Sequence, residues 1–292
     1  MKQVNLKSRA KINFSLDVIG KRSDGYHEVE MIMQQINLYD NIYISERDDN
    51  EIKISTNCEY IPANSSNIAY KAADKLCKEL SISKGVNIYI DKQIPVAAGL
   101  AGGSSNAATV LKGLNSLWGL GLSKNELMDI GVSIGADVPF CILGGTALAK
   151  GIGEKLTPIE SDIKNTWIVL AKPPISVSTG EVYGQLDLSK ISNRPNTDYL
   201  VNAIKEGKIY DLSSNISNVL ETVTETKYSI ITEIKRKMME YNALGAMMSG
   251  SGPTVFGIYK NYEKAKSAYE HLSLFYKQTY MVQTYNGGYE IG

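Results

Sequence analysis

Apolar and polar positions alternate through the first part of the chain. Ile12, Phe14, Leu16 and Val18 fall on one side of an extended segment, and Lys11, Asn13, Ser15 and Asp17 on the other. This period of two predicts a strand over 4–20, with a break near Ser8. The polar side reads equally as a solvated face or as the wall of a polar pocket. Further strands are expected over 28–39, 41–46 and 51–55, forming a β-rich meander that the short links make antiparallel. The period then lengthens. Ile68, Ala72, Ala73, Leu76, Cys77 and Leu80 form one stripe of a helix over 67–80. Val86 to Lys92 alternates again as a strand. Ala107, Leu111, Leu114 and Trp118 mark a second helix. A capping box, Ser123-Lys-Asn-Glu126, opens a third with Leu127, Ile130, Gly131 and Ile134 inward. That helix is expected to end at Gly135, before Asp137, and a small-residue strand follows over 144–150.

No period is visible over 156–164. A division is therefore placed there, between a first domain of residues 1–160 and a second of 161–292. The second offers a buried strand over 167–171, a short helix from Ser178, helices over 198–206 and 228–241, strands over 246–248 and 254–259, a helix over about 261–275 and a final strand over about 278–285. Helices packed on a small sheet make this half α+β, and the chain as a whole is expected to be α+β with two domains.

One stretch breaks both periods. Pro95-Val-Ala-Ala-Gly-Leu-Ala-Gly-Gly-Ser-Ser-Asn-Ala-Ala108 is almost entirely small residues between a strand and a helix. Such a loop can bring its backbone close to a ligand, and the free N–H groups of the following helix attract anions, phosphate above all. It lacks G-x-x-x-x-G-K-[ST] and G-x-G-x-x-G. Taken alone, it reads equally as a tight turn that lets two elements pack. Alanine at 97, 98 and 101 is expected to serve only if φ is negative there. Asp137 lies among small and apolar residues beside Pro139, either as an ordinary turn residue or as an acid in a partly desolvated site. A second glycine loop, Ser249-Gly-Ser-Gly-Pro253, separates two of the later strands.

Composition narrows the classes. Lys plus Arg and Asp plus Glu both number 31, so the formal net charge is zero, without the basic excess usual in nucleic-acid binders. Three widely spaced cysteines, Cys58, Cys77 and Cys141, suit neither a zinc site nor a disulfide framework. The first ten residues lack the apolar run of a signal peptide, and no window approaches 18 uninterrupted apolar residues, so a cytoplasmic protein without a membrane span is expected.

Three separated segments resemble the three motifs of the GHMP kinases, the superfamily of galactokinase and of homoserine, mevalonate and phosphomevalonate kinases. They are Ala10-Lys-Ile-Asn13 running on to Gly20-Lys-Arg-Ser-Asp-Gly-Tyr-His27, the loop 95–108, and Met248-Ser-Gly-Ser-Gly-Pro-Thr254. The first segment, with its G-K-R-x-D-G-Y-H pattern, is similar to the members that phosphorylate the 2-hydroxyl of cytidyl diphosphate methylerythritol in the non-mevalonate isoprenoid pathway. The resemblance implies a two-domain fold with the site in the cleft, the second domain being ferredoxin-like. It also implies ATP as phosphoryl donor with Mg²⁺, and a monomer or homodimer.

The same resemblance assigns roles. Lys11 and Asp137 match the catalytic pair: the carboxylate accepts the hydroxyl proton while the ammonium stabilises charge on the attacking and transferring groups. Pro95, Val96, Ala97, Ala98, Gly99, Leu100, Ala101, Gly102, Gly103, Ser104 and Ser105 would wrap the ATP phosphates, with Ser105 the expected contact to Mg²⁺. Lys92 and Asn67 fall where relatives line the nucleotide site. Asn13, Tyr26, His27, Thr179 and Tyr183 match substrate positions, the aromatic rings enclosing the cytosine. Gly250 and Gly252 belong to the third motif. His271 has no match and is expected on a helix surface.

Overall fold

The computed structural model describes residues 2–163 and 165–287. Residues 1, 164 and 288–292, which include the outer limits of the two expected domains, lie outside the described residues. The first strands are long: β1 (Gln3–Lys21) and β2 (His27–Arg47) pair antiparallel over nearly their full length. After β3 (Ile52–Thr56), α1 (Ile68–Glu79) and β4 (Gly85–Asp91) comes the small-residue loop. Then follow α2 (Gly102–Trp118), α3 (Lys124–Val132), α4 (Val138–Leu143), β5 (Thr146–Gly151) and β6 (Lys155–Pro158). The remainder runs β7 (Trp167–Lys172), α5 (Thr179–Gln185), α6 (Thr197–Lys205), α7 (Ile209–Asn215), β8 (Ser217–Asn218), α8 (Glu221–Lys227) and α9 (Ile230–Glu240). β9 (Gly245–Met248), β10 (Val255–Tyr259), α10 (Tyr262–Ser273) and β11 (Gln278–Gln283) complete it.

Two sheets result. The larger has the order β3-β4-β2-β1-β8, with β5 and β6 continuing from β2. One edge of β2 is shared: residues 29–34 pair with β5 and 41–47 with β4. The smaller sheet, β11-β7-β10-β9, is antiparallel throughout. The α+β expectation therefore holds. The expected meander does not, because β3 pairs with β4, in parallel, rather than with β2. The chain between them forms α1, and a helical crossover returns the chain in the same direction.

Both faces of β1 are buried. Beside Ile12 and Phe14, the polar Lys11, Asn13, Ser15 and Asp17 are all at most 5% exposed, which decides between the two readings of that face. Their burial is matched by partners: Asp17 holds Arg194 at 2.5 Å, and Asn13 Oδ1 accepts from Lys11 Nζ at 2.8 Å. Between Arg9 and Lys11 the ladder with β2 is interrupted, and the Lys11 N–H donates instead to the Leu100 carbonyl at 3.1 Å. The bulge thus ties the strand carrying Lys11 to the small-residue loop.

Candidate active site

α2 begins earlier than the serines suggested. Its first helical residue is Gly102, preceded by Ala101 at φ 54°, and the Ser105 N–H already donates to the Ala101 carbonyl. The first-turn N–H groups, of Gly102, Gly103 and Ser104, therefore have no intrahelical acceptor, and these residues line the cavity beside the loop at the positive end of the helix dipole. Ala97 also has positive φ, 50°. The expectation of negative φ at the alanines is overturned at these two, where a Cβ costs about 1–2 kcal/mol each.

The loop borders a cavity of about 830 Å³. Most of the residues singled out in the sequence line it: Lys11, Tyr26, His27, Asn67, Lys92, Pro95 to Gly99, Ala101 to Ser104, Asp137, Thr179, Tyr183 and Gly250. Four do not. Leu100 is buried in the core. Gly252 packs against Met248. Asn13 lies fully buried behind Lys11, whose ammonium it accepts. Ser105 departs from the role expected for it: its hydroxyl donates to the Arg9 carbonyl at 2.6 Å and accepts from Ser8 Oγ at 2.9 Å, facing away from the cavity. A hydroxyl has one hydrogen to donate, and this one is spent inside the protein. Ser104 is the serine on the cavity wall.

Lys11 Nζ lies 3.9 Å from Asp137 Oδ2. Asp137 stands at the N-cap position of α4 in a helical conformation and caps nothing with its side chain. The helix at 138–143 is not apparent in the sequence, and of the two readings of Asp137 the structure favours the acid in a partly buried site over the turn residue. Its carboxylate is 30% exposed, while the Lys11 side chain is 5% exposed. An acceptor for a proton is thus open to the cavity, backed by a buried cation. The same carboxylate is felt by its neighbours. Burial pushes the Cys141 thiol up to about 12, with Asp137 adding to it, and burial then Asp137 raise the Tyr183 phenol.

At the other end, the His27 and Tyr183 rings lie 5.1 Å apart at 38°. Burial, then Lys21, lowers the pKa of His27, which favours the neutral ring. Tyr26 next to it is 59% exposed. The second glycine loop, which carries the third motif, closes the site. Ser249 Oγ donates to the Gly99 carbonyl at 3.0 Å, and a Cβ on Gly250 would lie 3.4 Å from Lys11 Nζ. Thr179 and Ser251 share a hydrogen bond of 2.8 Å. All three motifs are thereby in mutual contact. Sequence reading missed Asn218, which donates to both the Met248 and Gly250 carbonyls, at 2.9 and 2.8 Å. A lone Asn in an unpatterned segment carries no local signal.

Family models agree with this geometry. The model for the GHMP kinase N-terminal domain matches residues 67–145, and that for the C-terminal domain residues 200–278, together more than half the chain. The chain belongs to the GHMP kinase family. Among GHMP kinases it is 78% identical to the 4-diphosphocytidyl-2-C-methyl-D-erythritol kinase of Alkaliphilus oremlandii (strain OhILAs), over the whole of both chains. It is 55% identical to the enzyme of that name from Clostridioides difficile (strain 630), over 99% of this chain and 97% of the other. The crystal structure of a 4-(cytidine 5'-diphospho)-2C-methyl-D-erythritol kinase superposes with a TM-score of 0.82 at 28% identity, covering 97% of this chain and all of that one. A homoserine kinase from Cytophaga hutchinsonii ATCC 33406 superposes at 0.81 with 17% identity, over all of this chain and 98% of that one, which shows the shared GHMP kinase fold alone.

Proposed function

We propose that the protein transfers the γ-phosphoryl group of ATP to the 2-hydroxyl of 4-diphosphocytidyl-2-C-methyl-D-erythritol, giving the 2-phosphate and ADP. The step serves the non-mevalonate route to isoprenoid precursors. The observation that carries this reading is the position of the Lys11–Asp137 pair in a cavity bordered by the small-residue loop and by the His27–Tyr183 rings. It is supported by full-length relatives of that name.

In this reading the loop 95–104 cradles the ATP phosphates, and the first-turn N–H groups of α2 hold them as anions. The cytosine lies against His27 and Tyr183, with Tyr26 at the rim; a neutral His27 can offer a ring nitrogen to the base edge. The 2-hydroxyl then meets Asp137, which accepts its proton as the γ-phosphoryl group moves, while Lys11 balances the negative charge on the attacking and transferred oxygens. Asn13 fixes Lys11, and Gly250 brings the third motif against it. Mg²⁺ fits as the partner of ATP. Among the described residues no group of three or more His, Cys, Asp and Glu could hold a metal by itself, and Mg²⁺ ordinarily binds through substrate phosphates with one or two carboxylates. Ser104 is the hydroxyl on the cavity wall at the helix start, so it and the ATP phosphates would hold the ion, and Asp137 is kept for the proton. The ion would neutralise phosphate charge.

The division near residue 160 belongs to the same reading, since every strand up to Pro158 joins the larger sheet and the smaller sheet begins at Trp167. So does a cytoplasmic location; among the described residues no helix is long and apolar enough to cross a membrane. The test is ADP release from Mg-ATP with a panel of alcohols: the cytidyl diphosphate methylerythritol, homoserine and mevalonate. Turnover is expected with the cytidyl alcohol. Turnover with another member and none with the cytidyl compound would overturn the assignment.

A further inference from the structure

The small-residue loop has an anchor that no motif marks. Asp40, on β2, is fully buried, and its carboxylate accepts four hydrogen bonds of 2.7 Å. Oδ1 takes the backbone N–H groups of Gln93 and Ile94, where the chain enters the loop. Oδ2 takes Lys92 Nζ and, from inside α2, Asn106 Nδ2, where the chain leaves it. A carboxylate has about four acceptor sites, and here all are used. Lys92 Nζ also donates to the Ile94 carbonyl at 2.7 Å and sits 3.0 Å from where a Cβ of Gly102 would stand, so the ammonium lies directly under the first turn of α2. Its attraction to Asp40 opposes the strong effect of burial, which lowers the Lys92 pKa.

The network continues to the site. The second hydrogen of Asn106 Nδ2 goes to Ser8 Oγ at 2.9 Å, Ser8 donates to Ser105, and Ser105 to the Arg9 carbonyl, two residues before Lys11. One carboxylate therefore joins both ends of the loop and connects them to the strand of Lys11. The loop needs such a clamp, because it holds Ala97 and Ala101 in the left-handed region. Strained backbone persists only where its surroundings over-determine it.

We infer that Asp40 is a positioning residue for the nucleotide: it keeps the loop 94–106 in its phosphate-binding shape, acting through Lys92, Asn106 and the backbone at 93–94 without touching ATP. This rests on the reading above that the loop takes ATP. A preformed cradle binds without a separate ordering cost, so its loss appears in nucleotide affinity.

Asp40→Asn keeps the size of the side chain and removes its charge. Calorimetric titration with Mg-ATP is expected to show a Kd raised roughly tenfold to a hundredfold, because the loop must then be ordered on binding. KM for ATP should rise in parallel, while KM for the cytidyl alcohol stays within about twofold. Asn106→Ala cuts the exit link and the bond to Ser8 but leaves the entry links of Asp40 in place, so it should shift ATP affinity the same way by less, which keeps the test open if Asp40→Asn folds poorly. Lys92→Met should add little to Asp40→Asn, since the two act as one unit. Unchanged ATP affinity in the folded variants, or equal losses for both substrates, would overturn the inference. Failure of the cytidyl alcohol as acceptor would strike the proposed function and leave this titration readable.

Discussion

Asp137 is half-buried, caps no backbone group, and has a cation 3.9 Å away. In the proposed function a carboxylate so placed accepts the proton of the attacking hydroxyl. Asp137→Asn should therefore lower kcat by about 10²–10⁴-fold, the usual yield of a general base. ATP binding should stay nearly intact, and wild-type turnover in the variant would remove Asp137 from the mechanism. His27 gives a prediction about pH. Burial and Lys21 lower its pKa from the ordinary 6.5. The ring is then neutral at pH 7 and gains its proton only as pH falls below 6.5. Because the unfolded chain takes up that proton first, the change also favours unfolding as pH falls. The expected outcome is a kcat/KM for the cytidyl alcohol that drops below pH 6.5, with the Kd of Mg-ATP flat over the same range. Parallel pH curves would argue against a base-reading role. Tyr183 packs on the same ring, and Tyr183→Ala should raise KM for the cytidyl alcohol by the equivalent of about 1–3 kcal/mol, the worth of one stacked base.

At the level of elements, the loop and α2 depend on backbone conformation more than on side chains. Ala101 at φ 54° is strained by its Cβ by about 1–2 kcal/mol. Glycine there relieves the strain but loses about 0.5–1 kcal/mol to chain entropy. Ala101→Gly is thus expected to be neutral or up to about 1.5 kcal/mol more stable in urea unfolding, and Ala101→Val less stable than wild type by more than about 1 kcal/mol, a β-branched residue being the poorest fit to that region. A harmless valine would be incompatible with a left-handed backbone at position 101. Much of this site was legible in the sequence. Lys11, the loop and the third glycine motif stand in segments whose residue types and order are recognisable, and amphipathic spacing located α1, α3, α9 and α10 within a few residues. What escaped has a common cause. The positive φ of Ala97 and Ala101 comes from contacts made after the chain has folded, which spacing cannot show. Asp40 and Asn218 are single polar residues: Asp40 accepts from residues 52 to 66 positions away, and Asn218 donates to carbonyls 30 and 32 positions away. β3 was placed in a meander because nothing local distinguishes a strand that pairs with its neighbour from one that waits for a crossover.

Across the whole molecule, the site exists because elements from both ends of the chain converge on β1. One edge of β1 pairs with β2, and the other takes the two-residue β8 in parallel, Ser15 with Ser217 and Leu16 with Asn218. From that position Asn218 reaches the Met248 and Gly250 carbonyls, while its own Oδ1 accepts the Leu220 N–H at 3.0 Å. It is 4% exposed, so water cannot readily replace it. Ser249 then donates to Gly99, which closes the circuit from the smaller sheet to the small-residue loop. Asn218 consequently sets where Gly250 stands relative to Lys11. Asn218→Ala would leave two carbonyls short of their donor, a loss of about 1–3 kcal/mol for each unsatisfied group at most. The expected result is a lower urea midpoint together with a kcat reduced more than either KM, because the third motif meets the site at Lys11 rather than at the nucleotide base. Asn218→Asp separates the two effects. Its carboxylate still accepts from Leu220 but cannot donate, so it should lose activity as the alanine variant does. Full activity in a destabilised Asn218→Asp would show that Asn218 supports the fold without placing the glycine motif.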